Sequence, residues 1–184
     1  LSYIFNTFSK EDRSFAEVLQ EAIKLGLTEP DPRQDLGGND VARKLLILAR
    51  ELDLHNEFDD VVVQNLIPEN LRTVNTSEFL KALDDVNAHY QQLKEAQKPG
   101  YVLRYTGDLY GDLADEHGAR LEVKLESVEE QSPIGSLKGS DSIFEIYTES
   151  YGEQPIVIQG AGAGAQVTAR GVFGDILRLT EKNN

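Results

Sequence analysis

The hydrophobic period of this chain changes at Pro99-Gly100. Ahead of that point apolar residues recur every three to four positions, and beyond it they mostly alternate. The two periods bury different faces, so a segment patterned for a helix does not settle as a strand. In the first half, Ser14 and Glu17 form an S-x-x-E capping box ahead of Phe15, Val18, Leu19, Ala22 and Ile23, and Gly26 ends the run. This predicts a helix over Phe15–Leu25. Val41, Leu45, Leu48 and Leu52, broadened by Ala42, Leu46 and Ala49, predict a second, mostly buried helix over Asp40–Leu52. Asp60–Ile67 reads as a strand stopped by Pro68. Asn75 and Glu78 cap a third helix whose seam is Phe79, Leu83, Val86, Tyr90 and Leu93.

In the second half, Tyr101–Thr106 and Arg120–Val128 read as two strands of a hairpin, with a turn at Asp115–Gly118 and one exposed face. Ile143–Thr148 and Ile156–Gln159 are further strands, and a last helix covers Gln166–Leu179. Helices, then mostly strands, then a closing helix describe an α+β protein with helices layered on one face of an open mixed sheet. At 184 residues one domain is expected.

Bulk properties exclude several functions. A formal net charge of −14 argues against nucleic acid and anionic membrane surfaces as partners. No apolar run reaches the roughly 20 residues of a membrane span. With no cysteine there is no thiolate ligand, disulfide or cysteine nucleophile. The chain has no methionine and begins on the apolar segment Leu1-Ser2-Tyr3-Ile4-Phe5, so a piece of a longer polypeptide is expected. Cytoplasmic is the default location in the absence of any other signal.

The densest chemistry lies in Thr28–Lys44, TEPDPRQDLGGNDVARK. Pro30, Pro32, Gly37 and Gly38 fix an irregular loop that delivers Glu29, Asp31, Asp35 and Asp40 to a helix entrance. Asp40 and Lys44 share a helix face one turn apart. A lysine partly buried in an apolar helix is a candidate proton donor or acceptor at a carbonyl or alcohol, and Glu29 and Asp35 could receive a substrate ammonium. The plainer account, an exposed i, i+4 ion pair and an acidic helix start, is favoured by spacing alone. It leaves the rigid approach unexplained. A metal site among Glu29, Asp31 and Asp35 is a weak alternative, and no metal is expected.

Gly160–Gly164 (GAGAG) lies between a strand and a helix, where backbone N–H groups can approach a phosphate. A tight connection of small residues explains it equally well, and too little chain follows for a self-standing Rossmann unit. His55, His89 and His117 sit in polar surroundings without metal-ligand spacing and read as solvent-exposed.

Gly26-Leu27-Thr28-Glu29-Pro30-Asp31-Pro32-Arg33, with Asp35-Leu36-x-Gly38-x-Asp40-Val41-Ala42-Arg43-Lys44-Leu45, resembles the signature of homoserine dehydrogenases. LSYIFN at the start and VIQGAGAGAQVTARGVFGDILRL at the end resemble family segments too, so the resemblance covers nearly the whole chain. It looks most like the dehydrogenase part of bifunctional aspartokinase/homoserine dehydrogenases. The resemblance implies NAD(P)-dependent interconversion of homoserine and aspartate 4-semialdehyde, on the route to threonine and methionine. It implies Lys44 as general acid/base, Glu29, Asp35 and Asp40 as substrate-binding residues, and Gly164 beside the nicotinamide nucleotide. It further implies a catalytic, substrate-binding and dimerisation domain over residues 1–184, a homodimer, and a final helix returning to a Rossmann domain that lies outside this sequence and binds most of the cofactor. Leu27, Gln34 and Gly37 depart from residues common in the family, and the first two bear on the substrate pocket. The rival reading is a non-enzymatic α+β assembly or regulatory module built on the same scaffold.

Overall fold

The computed structural model describes residues 1–162 and 164–182. Ala163, inside the glycine run, lies outside the described residues. Helix α1 (Ser2–Phe8) opens the chain, followed by α2 (Phe15–Lys24), a single turn α3 (Arg33–Leu36) and α4 (Asn39–Glu51). Strand β1 (Val61–Val63), helices α5 (Thr76–Lys81) and α6 (Leu83–Glu95), and strands β2 (Tyr101–Gly111) and β3 (Ala119–Glu129) come next. A hairpin of β4 (Asp141–Ile146) and β5 (Ile156–Ala161) leads to α7 (Ala165–Lys182).

The α+β class holds, with the sheet arranged differently from the expected single one. β1, β3 and β2 form a mixed sheet in that order, β1 parallel to β3 and β2 antiparallel to it. Among the described residues, β4 and β5 pair only with each other. On β3, Ala119, Leu121 and Val123 are buried against α4, while Glu122, Lys124 and Glu126 alternate with them. Alternation sets which face meets the helices, as the sequence pattern required.

Two apolar clusters make the interior. One joins α1, α2 and α6 through Phe5, Phe8, Phe15 and Tyr90, with the Phe15 and Tyr90 rings stacked at 4.0 Å. A seven-residue helix such as α1 has little stability alone; burial of Ile4, Phe5 and Phe8 holds it in place. The other cluster packs Ala42, Leu45 and Ala49 of α4 on the sheet. Tyr105 of β2 touches both, and its hydroxyl donates to the Gln64 carbonyl at 2.7 Å. Arg104, 3 % exposed, points to carbonyl oxygens of Phe5, Leu103, Ile134 and Gly135 and ties α1 to the loop after β3. Burial pulls its guanidinium down to about 10, with the charge of Glu130 opposing.

Several boundaries differ from expectation for physical reasons. The strand expected over Asp60–Ile67 pairs only over its first half. Beyond Val63 the chain turns to satisfy other partners, with Leu66 donating to the Leu36 carbonyl and the Asn65 side chain accepting from Ile67. The third helix breaks at Ala82 into α5 and α6, although its Asn75–Glu78 capping box forms. In α4 the buried stripe is Ala42, Leu45 and Ala49, leaving Ile47, Leu48 and Leu52 exposed. Small alanines let the helix approach the sheet closely, which turns the larger side chains outward.

Gly38 caps α4 with φ +77°, and a Cβ there would lie 2.0 Å from the Tyr105 hydroxyl and 2.9 Å from the Val63 methyl. Gly38→Ala is therefore expected to destabilise the fold by at least about 1–2 kcal/mol from the left-handed backbone alone, with displacement of Tyr105 added. Urea unfolding of the two proteins measures the difference, and a change under 0.5 kcal/mol (roughly the scatter of neutral surface substitutions) would refute the contact.

Candidate active site

The 28–44 loop is stapled by its own arginine. Arg33 meets both carboxylate oxygens of Asp31, with Nη2 to Oδ2 at 2.6 Å, and also donates to the Val74 carbonyl. Thr76 at the start of α5 donates to the same carboxylate at 3.0 Å. The guanidinium, more than any other group, lowers the Asp31 carboxyl from 3.8 to about 2. Asp31 is thus occupied in holding Pro30–Pro32 against α5.

Asp35, on the single turn α3, accepts the Glu29 N–H at 2.9 Å, so the two acidic residues close the loop on itself. Among the described residues, no basic side chain lies within ion-pair distance of Glu29 or Asp35, which leaves both carboxylates able to receive a cation. Glu29, Asp31 and Asp35 do not form a cluster with metal-ligand spacing among the described residues.

Asp40 and Lys44 form the expected pair on α4, with Nζ to Oδ2 at 2.8 Å. They are not partly buried as the apolar pattern suggested: the side chains are 60 % and 67 % exposed. The buried stripe of α4 passes through Ala42 and Leu45, and Lys44 stands beside it. An ion pair so exposed contributes little to stability, well under about 1 kcal/mol.

The start of α1 draws these groups together, a location the sequence pattern did not signal. The Leu1 nitrogen lies close enough to Asp35, Lys44 and Asp40 to interact electrostatically with all three. The glycine run reaches the same end of the molecule. Ser2 Oγ lies 3.4 Å from Ser142 Oγ, and a Cβ on Gly162 would meet that Ser142 hydroxyl at 2.2 Å. Gly162 also donates to the Ser140 carbonyl, and Asn6 of α1 donates to the carbonyls of Gly139 and Asp141. Gly164 has φ +119°, and among the described residues nothing lies within 4 Å of a built Cβ, which leaves its backbone open to approach just ahead of α7. The arrangement joins a lysine–carboxylate pair, two uncompensated carboxylates and an open strand-to-helix turn. A groove lined by Gln64, Asn65, Arg72, His89 and Leu93 lies beside α6 and contains none of these residues.

The comparisons with known proteins converge. A homoserine dehydrogenase family profile matches residues 1–177. The chain is 48 % identical over 181 residues to a bifunctional aspartokinase/homoserine dehydrogenase of Daucus carota, a chloroplast protein by its name, covering 97 % of this chain and 19 % of that one. It is 44 % identical over 191 residues to a homoserine dehydrogenase of Saccharomyces cerevisiae, covering 99 % and 51 %. The crystal structure of a Staphylococcus aureus homoserine dehydrogenase at pH 7.0 superposes with a TM-score of 0.66 at 22 % identity, covering 97 % of this chain and 40 % of that one, a likeness of fold. The chain therefore spans about a fifth to a half of the proteins it matches.

The Asp31 staple carries a pH signature. Its folded carboxyl is depressed, so the stabilisation is fully present above the ordinary value near 3.8 and fades as pH falls through about 2. Asp31→Asn is expected to cost roughly 1–2 kcal/mol at pH 7, with the gap to the parent protein closing between those limits. Denaturant titrations of both proteins at pH 7 and at pH 2–3 measure it; a gap that stays constant with pH would contradict the assignment.

Proposed function

The chain belongs to the homoserine dehydrogenase family, and from that premise we propose that residues 1–184 are its catalytic, substrate-binding domain. The reaction is NAD(P)-dependent interconversion of L-homoserine and L-aspartate 4-semialdehyde, within threonine and methionine biosynthesis. The observation that carries the reading is the Asp40–Lys44 ion pair at the start of α4, directly after the loop that Asp35 and Glu29 close, inside a segment matched by the family profile.

Each residue has a role that fits its position. Glu29 and Asp35, lacking a basic partner among the described residues, receive the substrate ammonium together with Asp40. Lys44 faces the reacting oxygen. In the reducing direction its ammonium gives a proton to the aldehyde oxygen as hydride reaches the carbonyl carbon; in the oxidising direction its free amine takes the hydroxyl proton. Asp40, 2.8 Å from Nζ, aims the amine. NAD(P), when bound, supplies or accepts the hydride. Of this chain's residues, Gly164 fits it, because its backbone is open and precedes a helix start. Most of the cofactor contact falls to a nucleotide-binding domain outside these residues, to which α7 would return. The assembly is a homodimer, a reading supported by Phe144, Ile146 and Ile158, which stand exposed on the β4–β5 hairpin.

Lys44→Ala in the full-length enzyme is expected to lower kcat/KM for homoserine by about 10²–10⁴-fold, the usual reach of a general acid/base, with the far-UV circular dichroism unchanged. Activity surviving within a few-fold would remove Lys44 from the chemistry and favour a non-catalytic module. Separately, the 184-residue chain alone is expected to show no homoserine-dependent NADP reduction, measured at 340 nm; measurable turnover would show that the missing nucleotide domain is dispensable.

A further inference from the structure

At the opposite end of α4 from Lys44, two loops far apart in sequence meet on histidines. Asp53, with φ +59°, reverses the chain as it leaves the helix. Leu54 and Asn56 are then buried, and Asn56 donates to the Ala119 carbonyl at 3.3 Å. His55 is held outward between these two anchors. Its N–H donates to the Glu116 carbonyl at 2.8 Å, joining it to the connection between β2 and β3. That connection is itself closed, with Gly118 and His117 both donating to Asp115, through its carbonyl at 2.9 Å and its side chain at 3.1 Å. The backbone positions of His55, Glu116 and His117 are thus fixed from both sides.

Their side chains converge. His55 Nδ1 lies 3.1 Å from Glu116 Oε2, the two imidazoles are 5.8 Å apart and inclined at 71°, and one ligand atom from each residue falls within 4.8 Å of the others. We propose that His55, Glu116 and His117 form a binding site for a borderline divalent transition metal of the zinc type. Two imidazoles and a carboxylate are a zinc-type donor set, with a fourth tetrahedral position left to water, and they disfavour calcium and magnesium, which take oxygen donors. Tetrahedral bonds of about 2.0–2.2 Å need donors roughly 3.3–3.6 Å apart, so donors within 4.8 Å of one another close by at most about 1.5 Å. All three side chains are exposed and free to make that move. The chain's charge of −14 favours cation uptake. Bound metal would clamp the loop after α4 to the tip of the β2–β3 hairpin and stabilise the fold by mass action.

The protein has three histidines, so the wild type reports on itself. Titrating Zn²⁺ at pH 8, where ordinary imidazoles are neutral, should give one saturable site per chain by calorimetry. The imidazole proton resonances of His55 and His117 should shift while those of His89 stay in place. His55→Ala/His117→Ala, truncations at the surface whose folding is checked by circular dichroism, should weaken binding at least tenfold and abolish the zinc-dependent rise in melting temperature. Absence of saturable binding, binding unchanged in the double variant, or a titration that moves His89 instead would each overturn the proposal.

Discussion

Tyr105 is the residue on which both halves of the interior lean. Its ring packs into the helical cluster beside Phe5 and against the α4–sheet cluster, and its hydroxyl donates to the Gln64 carbonyl where the chain leaves β1. Burial raises that hydroxyl to about 12, so it remains a hydrogen-bond donor across the whole working pH range. Only a glycine fits against it at position 38, and that glycine is where α4 begins. The helix start is therefore positioned by a β-strand tyrosine, and Asp40 and Lys44 follow from it by helical geometry. The candidate site inherits its rigidity from a packing contact more than from its own ion pair.

The same logic explains the acidic loop. An Asp–Pro–Arg turn carrying four carboxylates would repel itself if all were free. Arg33 neutralises Asp31 and fastens it to Thr76, while Asp35 accepts a backbone N–H. Within a few residues, the acid tied into the structure and the acid left without a basic partner among the described residues are separated by which of them has the arginine. The sequence alone could not make that separation, because Asp31 and Asp35 both stand near Arg33 in the chain.

What could be read in advance divides along similar lines. Local rules worked where the interaction is local: the Ser14–Glu17 and Asn75–Glu78 capping boxes, the alternation on β3 and the Asp40–Lys44 pair all formed. Long-range partners were illegible. β1 ends early because Gln64 uses its side chain to meet the Leu125 N–H of β3 and Leu66 donates to the Leu36 carbonyl, and β4–β5 stands apart from the main sheet. The buried stripe of α4 settled on alanines because close approach to the sheet outweighs the size of Leu48. His55 and His117, 62 positions apart, meet only because the helix end and the hairpin tip are docked together. Their spacing carried no signal, and only the adjacency of Glu116 and His117 was visible.

Exposure at the candidate site bears directly on the proposed chemistry. Hydride transfer between carbon centres demands that water be excluded, and a charged lysine is an efficient proton donor only in a fixed, dry setting. Lys44 and Asp40 stand 67 % and 60 % exposed, and no described residue lies within 4 Å of a Cβ built on Gly164. In addition, α7 presents Val172, Phe173, Ile176 and Leu177 unburied, a set of side chains that costs free energy in water. Under the proposed function these two facts have one resolution. The surface that dries the lysine and the surface that covers the closing helix would belong to the same nucleotide-binding domain, so cofactor binding and completion of the acid/base site would be one event. In that arrangement the loop and α4 supply position, and the rest of the enzyme supplies the dielectric in which position becomes catalysis.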